Sequence, residues 1–458
     1  MAAAVASRRC VGLCFSGSLG QLAGQGNVSQ IVKRSLSRTH NVLSVYKMVV
    51  VGGGAGGCAT AAHFCREMGK GHVAIIEPSE THAYQSMWTL VGAGLKTLGQ
   101  SQRPMSSVLP SKCDWIKESA VKFDPENNSL TTSSGKQIQY DYLVVAAGLQ
   151  LNYDQVKGLT EALQSDPQVC SNYHAQYVTK TFPALEAVQS GNAIFTFPNT
   201  PIKCAGAPQK IVYLGEEIFR NKGTRDKIDV IYNTSLNVLF AVEKYAATLR
   251  NIVQKRHIKV NYRHNLVEVK PDSREAVFQL LDSEKGETTT FSYSFLHATP
   301  PMSAPDVVRS SPLVNADGWV DVNKHTLQHT QFPNVFALGD CTNLPTSKTA
   351  AAAASQCGVL KHNLSAVIKG KQPTHSYDGY TSCPLVTGKN KCVLAEFDYD
   401  GHPMETFPVD QSKERWSMYQ MKAHVMPQLY FHGLLKGIYE GPAMFRKVMH
   451  LGMGEKKH

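Results

Sequence analysis

The hydrophobic pattern along the chain switches on in two similar blocks. Met48-Val49-Val50-Val51 ends a β-branched run that starts near Ser44 and is followed at once by glycines. That pattern predicts a parallel strand buried on both faces. Cys58 to Gly69 predicts a helix and Val73-Ala74-Ile75-Ile76-Glu77 the next strand, which completes one strand–helix–strand unit. The pattern restarts with Asn192-Ala193-Ile194-Phe195-Thr196-Phe197 as a strand, Pro208 to about Asn221 as a helix and Ile228–Tyr232 as a strand. The alanines at 350–354, behind Thr349, predict a strong helix. Past Asp378, short β-type segments give way to a tail rich in Met and aromatic residues. The expected class is α/β with two Rossmann-like dinucleotide-binding domains. The first is discontinuous, 43–150 with 300–375; the second spans 151–299; a C-terminal membrane-associating region fills 376–458.

The first block carries Gly52-Gly53-Gly54-Ala55-Gly56-Gly57 between strand and helix. Gly52, Gly54 and Gly57 permit a tight turn, close approach of a pyrophosphate and close helix–strand packing, while the helix N-terminus offers free N–H groups. Glu77, twenty residues after Gly57, stands where such folds place the acid that binds a ribose hydroxyl. This loop does not distinguish FAD from NAD. Two further segments do: Thr330–Asp340 resembles the second FAD fingerprint of glutathione-reductase-like flavoproteins, a strand ending in Gly339-Asp340 whose acid binds the ribityl chain. Tyr142–Gly148 resembles their middle motif. FAD is therefore the expected cofactor, with Gly52, Gly54, Ala55, Gly56, Gly57, Glu77, Gln85, Ala120, Gly148, Asp340, Lys348, Thr349, Ala350 and Ala351 as its expected binding residues.

The second block breaks the rule. Where phosphate-binding glycines belong, Ile194–Pro208 carries Cys204 between prolines, so the nicotinamide slot is missing and another reductant is needed. Lys203 and the following helix start are expected to lower the Cys204 pKa and favour thiolate. Cys383 is placed in a second proline-punctuated loop. Spacing alone does not pair these two among eleven cysteines, none arranged as Cys-x-x-Cys. No metal site is expected.

Charge adds location. The chain has 458 residues and a net charge of +11, yet no Asp or Glu precedes Glu67, and Arg8, Arg9, Lys33, Arg34 and Arg38 fall within 1–42. This is the composition of a mitochondrial presequence. Without 1–42 the net charge is +6, with no basic stripe that would suit nucleic acid. No run of 18 apolar residues suggests a spanning helix. The tail from 410 interleaves Lys and Arg with Trp416, Tyr419, Met426, Tyr430, Phe431, Ile438 and Phe445, which suits helices lying in a membrane interface, broken by Pro427, Gly433 and Gly437. A core-packed helix pair is the other reading of the tail.

From about residue 45 to 458 the chain resembles the mitochondrial sulfide:quinone oxidoreductases, on Val51–Gly54, Glu77-Pro78-Ser79, Tyr84-Gln85, Trp88–Gly94, Lys203–Lys210, Gly339–Ala350 and Tyr380–Pro384. The resemblance implies that Cys204 and Cys383 form an oxidised pair, as a disulfide or with a bridging sulfur. Hydrosulfide from hydrogen sulfide attacks at Cys383 and leaves a persulfide, and Cys204 passes two electrons to FAD. The sulfane sulfur goes to glutathione or sulfite, and the electrons go to ubiquinone at the matrix side of the mitochondrial inner membrane. Two alternatives remain: a type II NADH:quinone dehydrogenase, which needs the missing glycine fingerprint, and a non-catalytic flavoprotein resembling apoptosis-inducing factor, which has no need of two loop cysteines.

Overall fold

The computed structural model describes residues 44–451; the expected presequence at 1–42 lies outside them. In chain order, the elements that position the site begin with β1 (Ser44–Val51), α1 (Ala55–Met68), β2 (Val73–Ile76) and β3 (Gln137–Val145). Then come β4 (Gly191–Phe197), α2 (Ala207–Lys222), β5 (Ile228–Thr234), β6 (Phe295–His297) and β7 (Val335–Ala337). Helix α3 (Ala350–Ile368) and strands β8 (Thr381–Gly388) and β9 (Lys391–Phe397) follow.

Two parallel sheets form the frame. In the first, β1 pairs with β2 on one side and β3 on the other, and β7 joins the far side of β3. Asp114–Ile116 extends it parallel to β2, and an antiparallel hairpin, Ala120–Asp124 with Ser129–Thr132, adds to β3. Met48, Val49, Val50, Leu143, Val144 and Phe336 are fully buried, as continuous apolar runs in a two-sided parallel sheet must be. The second sheet runs in the order Val169–Cys170, β6, β4, β5, Lys259–Asn261, all parallel. Both strand–helix–strand units expected from the hydrophobic pattern are present, β1–α1–β2 and β4–α2–β5.

Two expectations need correction. Cys383 lies within strand β8, opposite Ala395 of β9, and not in a loop. Pro384 follows it there because a two-stranded ladder leaves one edge of β8 without strand partners, where a missing N–H costs little. Nor do Pro427 and Gly433 break the tail. Residues 416–434 run as one helical stretch with π-type turns at Met421–Val425 and Leu429–Leu434, and the stretch ends near Gly437, at φ +65°. The wider turns shift the hydrogen-bond register around the proline and accommodate its missing N–H.

The tail also divides by burial. Tyr419, Lys422, Ala423, Tyr430, Phe431, Leu434 and Leu435 are buried, so this part packs on the body of the protein. Ile438, Met444, Phe445, Val448 and Leu451 are exposed, and the last helix, Ala443–Met449, has no buried residue. Among the described residues no helix is long and apolar enough to cross a membrane.

The glycine loop separates packing from ligand space. A Cβ on Gly57 would lie 1.8 Å from the Gly52 carbonyl oxygen, whereas one on Gly54 would meet nothing within 4 Å. Gly57→Ala is therefore expected to destabilise the fold by about 2 kcal/mol, and Gly54→Ala to leave the melting temperature of the ligand-free protein unchanged. Thermal unfolding of the two variants checks this; equal effects would show that the loop glycines share one role.

Candidate active site

The residue that departs from the dinucleotide pattern also has an unusual backbone. Cys204 sits at φ +53°, in the left-handed region, just before α2 begins. Its N–H donates to the Lys348 carbonyl at 2.8 Å, and Lys203 forms an isolated bridge with Lys348. These contacts tie the turn of the second unit to the segment entering α3. The twist turns the thiol toward β8, and Cys204 Sγ lies 3.8 Å from Cys383 Sγ, although 179 residues separate the two in sequence.

Gly206 makes that approach possible. A Cβ there would lie 2.4 Å from Cys383 Sγ and 2.6 Å from Leu385 Cδ2. Sequence reading gave Gly206 no role; a lone glycine beside a loop cysteine was the available signal.

The electrostatics come from a lysine one turn into α2. Lys210, almost fully buried, donates from Nζ to Cys204 Sγ at 3.4 Å. The hydrogen bond with Cys383, then the charges of Lys210 and Lys422, hold the Cys204 thiol well below its usual range against the opposing effect of burial. Cys383 is pushed well above its usual range by its hydrogen bond with Cys204 and by burial. The pair therefore carries its negative charge on Cys204. Burial disfavours the charged form of Lys210, but Cys204 and Cys383 more than offset it and its pKa is raised.

Lys203, expected to act on Cys204, turns elsewhere. Its Nζ donates to Gln85 Oε1 at 2.5 Å, and burial lowers its pKa to about 8. Lys422 was read as part of a basic tail, yet it is buried, donates to the Ser86 carbonyl at 2.8 Å, and is lowered by burial and by Lys210 to about 8.

Cys204 opens on a cavity of about 380 Å³ that gathers most of the expected binding residues: Gly52, Gly54, Ala55, Gly56, Glu77, Gln85, Gly148, Asp340, Lys348, Thr349, Ala350 and Ala351. Gly57 stays behind it as a packing glycine, and Ala120, buried on the Ala120–Asp124 strand, is not among the lining residues. Glu77 Oε2 accepts from the Gly53 N–H at 2.7 Å. Thr349 caps α3 by accepting from the Ala352 N–H at 3.0 Å, which leaves the helix start facing the cavity. Lys348 Nζ donates to the Thr342 carbonyl at 3.0 Å and lies 4.1 Å from the Trp319 ring centre. Burial raises the Asp340 pKa, opposed by Lys348 and Lys203.

These residues fit FAD. The loop at Gly54 is open where a pyrophosphate needs backbone approach, two helix N-termini face the cavity, and Glu77 and Asp340 are among the residues that line it.

A second cavity of about 310 Å³ adjoins the first and shares Tyr84, Ala350, Ala351, Ser382, Met426 and Tyr430 with it. Its other walls are mainly apolar, among them Leu394, Phe407, Leu429, Leu434, Phe445 and Met449. Tyr430 is fixed from behind. Its hydroxyl lies 2.8 Å from His82 Nε2, and His82 Nδ1 lies 3.0 Å from the Gly53 carbonyl. Burial lowers the His82 pKa to about 4, so the ring is neutral. Donation from Nδ1 to the carbonyl then leaves Nε2 to accept from the tyrosine.

Residues 46–188 match the family model for pyridine nucleotide-disulphide oxidoreductases. The chain is 54% identical to the mitochondrial sulfide:quinone oxidoreductase of Mus musculus, over 89% of this chain and 90% of the relative. It is 44% identical to that of Dictyostelium discoideum, over 91% and 92%. The solved sulfide:quinone oxidoreductase of Aquifex aeolicus shares the fold at a TM-score of 0.73 and 21% identity, covering 89% of this chain and 95% of that one. With such identity across nearly the whole of both chains, this chain belongs to the sulfide:quinone oxidoreductase family of FAD-dependent oxidoreductases.

Proposed function

We propose that the chain oxidises hydrogen sulfide at the Cys204–Cys383 pair and delivers the electrons to ubiquinone. The observation that carries this reading is the 3.8 Å approach of the two sulfurs with Lys210 on one of them. In the oxidised pair, as a disulfide or with one bridging sulfur, hydrosulfide attacks the Cys383 side. From the disulfide, a sulfur–sulfur bond forms at Cys383 as its bond to Cys204 breaks, so Cys383 carries the persulfide and Cys204 leaves as thiolate. From the bridged form the same attack releases Cys204 still carrying the bridging sulfur. The leaving group of lower pKa departs faster, which supports this direction of attack. Glutathione or sulfite then takes the sulfane sulfur from Cys383.

FAD, when bound, would supply the two-electron acceptor for the reopened pair, whose sulfur–sulfur bond forms again, and the electron donor for the quinone. Gly52, Gly54, Ala55 and Gly56 would hold its pyrophosphate, Glu77 its ribose and Asp340 its ribityl chain, and the start of α3 would contribute its N-terminal end to the same cavity. The apolar second cavity would admit the quinone ring, with Tyr84 and Tyr430 on the shared wall. Exposed Met444, Phe445 and Val448 support docking of the last helix in a membrane interface, beside a cavity that Phe445 lines. The two sheets and the β8–β9 hairpin support the division into 43–150 with 300–375, 151–299 and 376–458. The presequence composition and the relatives' names support the mitochondrion, and we place the chain at the matrix side of its inner membrane as part of the same proposal.

Cys204→Ser and Cys383→Ser should each lower sulfide-driven quinone reduction by about a thousandfold or more, with FAD retained, and NADH should not bleach the flavin of the wild type. Retained turnover in both variants, or rapid bleaching by NADH, would overturn the reading. Gly206→Ala should slow the same reaction by roughly tenfold to a hundredfold through misplacement of Cys383, again with FAD retained. In reduced protein, Lys210→Met should move the midpoint of Cys204 alkylation upward by about one pH unit or more, because the ammonium that favours the thiolate is gone. A midpoint that stays in place would remove Lys210 from the account.

A further inference from the structure

Two lysines from distant parts of the chain close on one short helical turn of the first dinucleotide-binding unit, Gln85–Met87. Lys422, from the tail, donates from Nζ to the Ser86 carbonyl at 2.8 Å. Lys203, from the segment before α2, donates from Nζ to Gln85 Oε1 at 2.5 Å. The first contact holds the backbone of the turn and the second holds the Gln85 side chain. Lys203 is itself anchored, since its backbone bridges to Lys348 and its N–H donates to Met302 Sδ at 3.4 Å.

The contact with Lys203 decides which way the amide faces. An ammonium has three donors and no acceptor, whereas a glutamine amide carries an acceptor on one arm and two donors on the other. Only the oxygen can turn to a charged Lys203, so the NH2 group is held away from it. Among the described residues no protein group accepts from Gln85 Nε2. Gln85 and Lys203 line the same cavity as Cys204, Asp340 and the glycine loop. Two donors without a protein acceptor, on the wall of a cavity whose residues fit FAD, suit an acceptor atom of that cofactor. Lys203 is mostly charged at neutral pH: burial lowers its pKa to about 8, and Asp340 opposes that effect. The other titratable group that faces it is His174, whose own pKa is lowered by burial and by Lys203. The Trp88 ring centre lies 5.9 Å from Nζ.

We propose that Lys203 is a positioning residue for the cofactor: it locks the Gln85 amide so that both N–H donors face the flavin. Lys203 acts through Gln85 and takes no part in bond exchange. A hydrogen bond strengthens when its acceptor gains negative charge, so the lock favours the reduced cofactor over the oxidised one. The inference extends the FAD site and does not depend on which substrate reduces it.

The test is the two-electron midpoint potential of the FAD-loaded full chain, measured by equilibration with a reference dye in the absence of sulfide and quinone. Lys203→Met removes the ammonium; Lys203→Gln, which has no preference between the two arms of the amide, is the second variant should the first fail to fold. Each should lower the equilibrium preference for reduced flavin about tenfold, which is about 30 mV for two electrons. Gln85→Leu should lower it by the same amount, and the double variant no further. The difference between wild type and Lys203→Met should shrink above pH 8, where Lys203 of the wild type loses its proton. A shift in only one of the two single variants would overturn the proposal, because one group would then act without the other. Shifts that add in the double variant would overturn it as two independent contacts, and no shift in either would reduce the contact to packing. Wild-type protein purified without flavin would remove the cofactor site itself, a failure distinct from these.

Discussion

A lysine ammonium buried against a cysteine sulfur is the interaction on which the rest of the site depends. An unpaired charge removed from water is costly and a buried lysine tends to lose its proton, as the lowered pKa of Lys422 shows; Lys210 keeps its charge because negative charge stands beside it. Cys204 is where the structure puts that charge. The arrangement polarises two chemically identical residues: one thiol favours its ionised form and the other its neutral form. Gly206 and the left-handed backbone of Cys204 are the steric conditions for it, because any side chain at 206 would drive Cys383 away.

That polarised pair stands where three parts of the chain meet. The second sheet contributes Cys204 through α2, the β8–β9 hairpin contributes Cys383, and the first sheet contributes the glycine loop and the Gly339-Asp340 turn after β7. The tail closes the assembly. Tyr430 is held through His82 to the carbonyl of Gly53, so the wall between the two cavities is anchored to the loop expected to bind the pyrophosphate.

Much of this was legible in the sequence, for a physical reason: the glycine loop, the strands of the β1–α1–β2 and β4–α2–β5 units, and the capping Thr349 are encoded by neighbours in the chain. The departure of Cys204 from the glycine pattern was visible in the same way. What stayed hidden depends on distant contacts. Spacing could not pair Cys204 with Cys383. Lys203 looked like the activating lysine because it is adjacent, but its side chain turns to Gln85, and Lys210, one helical turn on, faces the sulfur. Lys422 belongs to the basic, aromatic pattern of the tail yet is buried, and Pro427, expected to break the tail, lies where π-type turns carry the helix through it.

In the proposed reaction Cys204 is the charged sulfur next to the cofactor and is released when sulfide attacks at Cys383. Anaerobic stopped-flow absorbance of the FAD-loaded wild-type protein mixed with sulfide tests it most directly. A long-wavelength thiolate-to-flavin band should rise first and decay as the flavin bleaches. Bleaching with no such band, or a band of full size in Cys204→Ser, would contradict it.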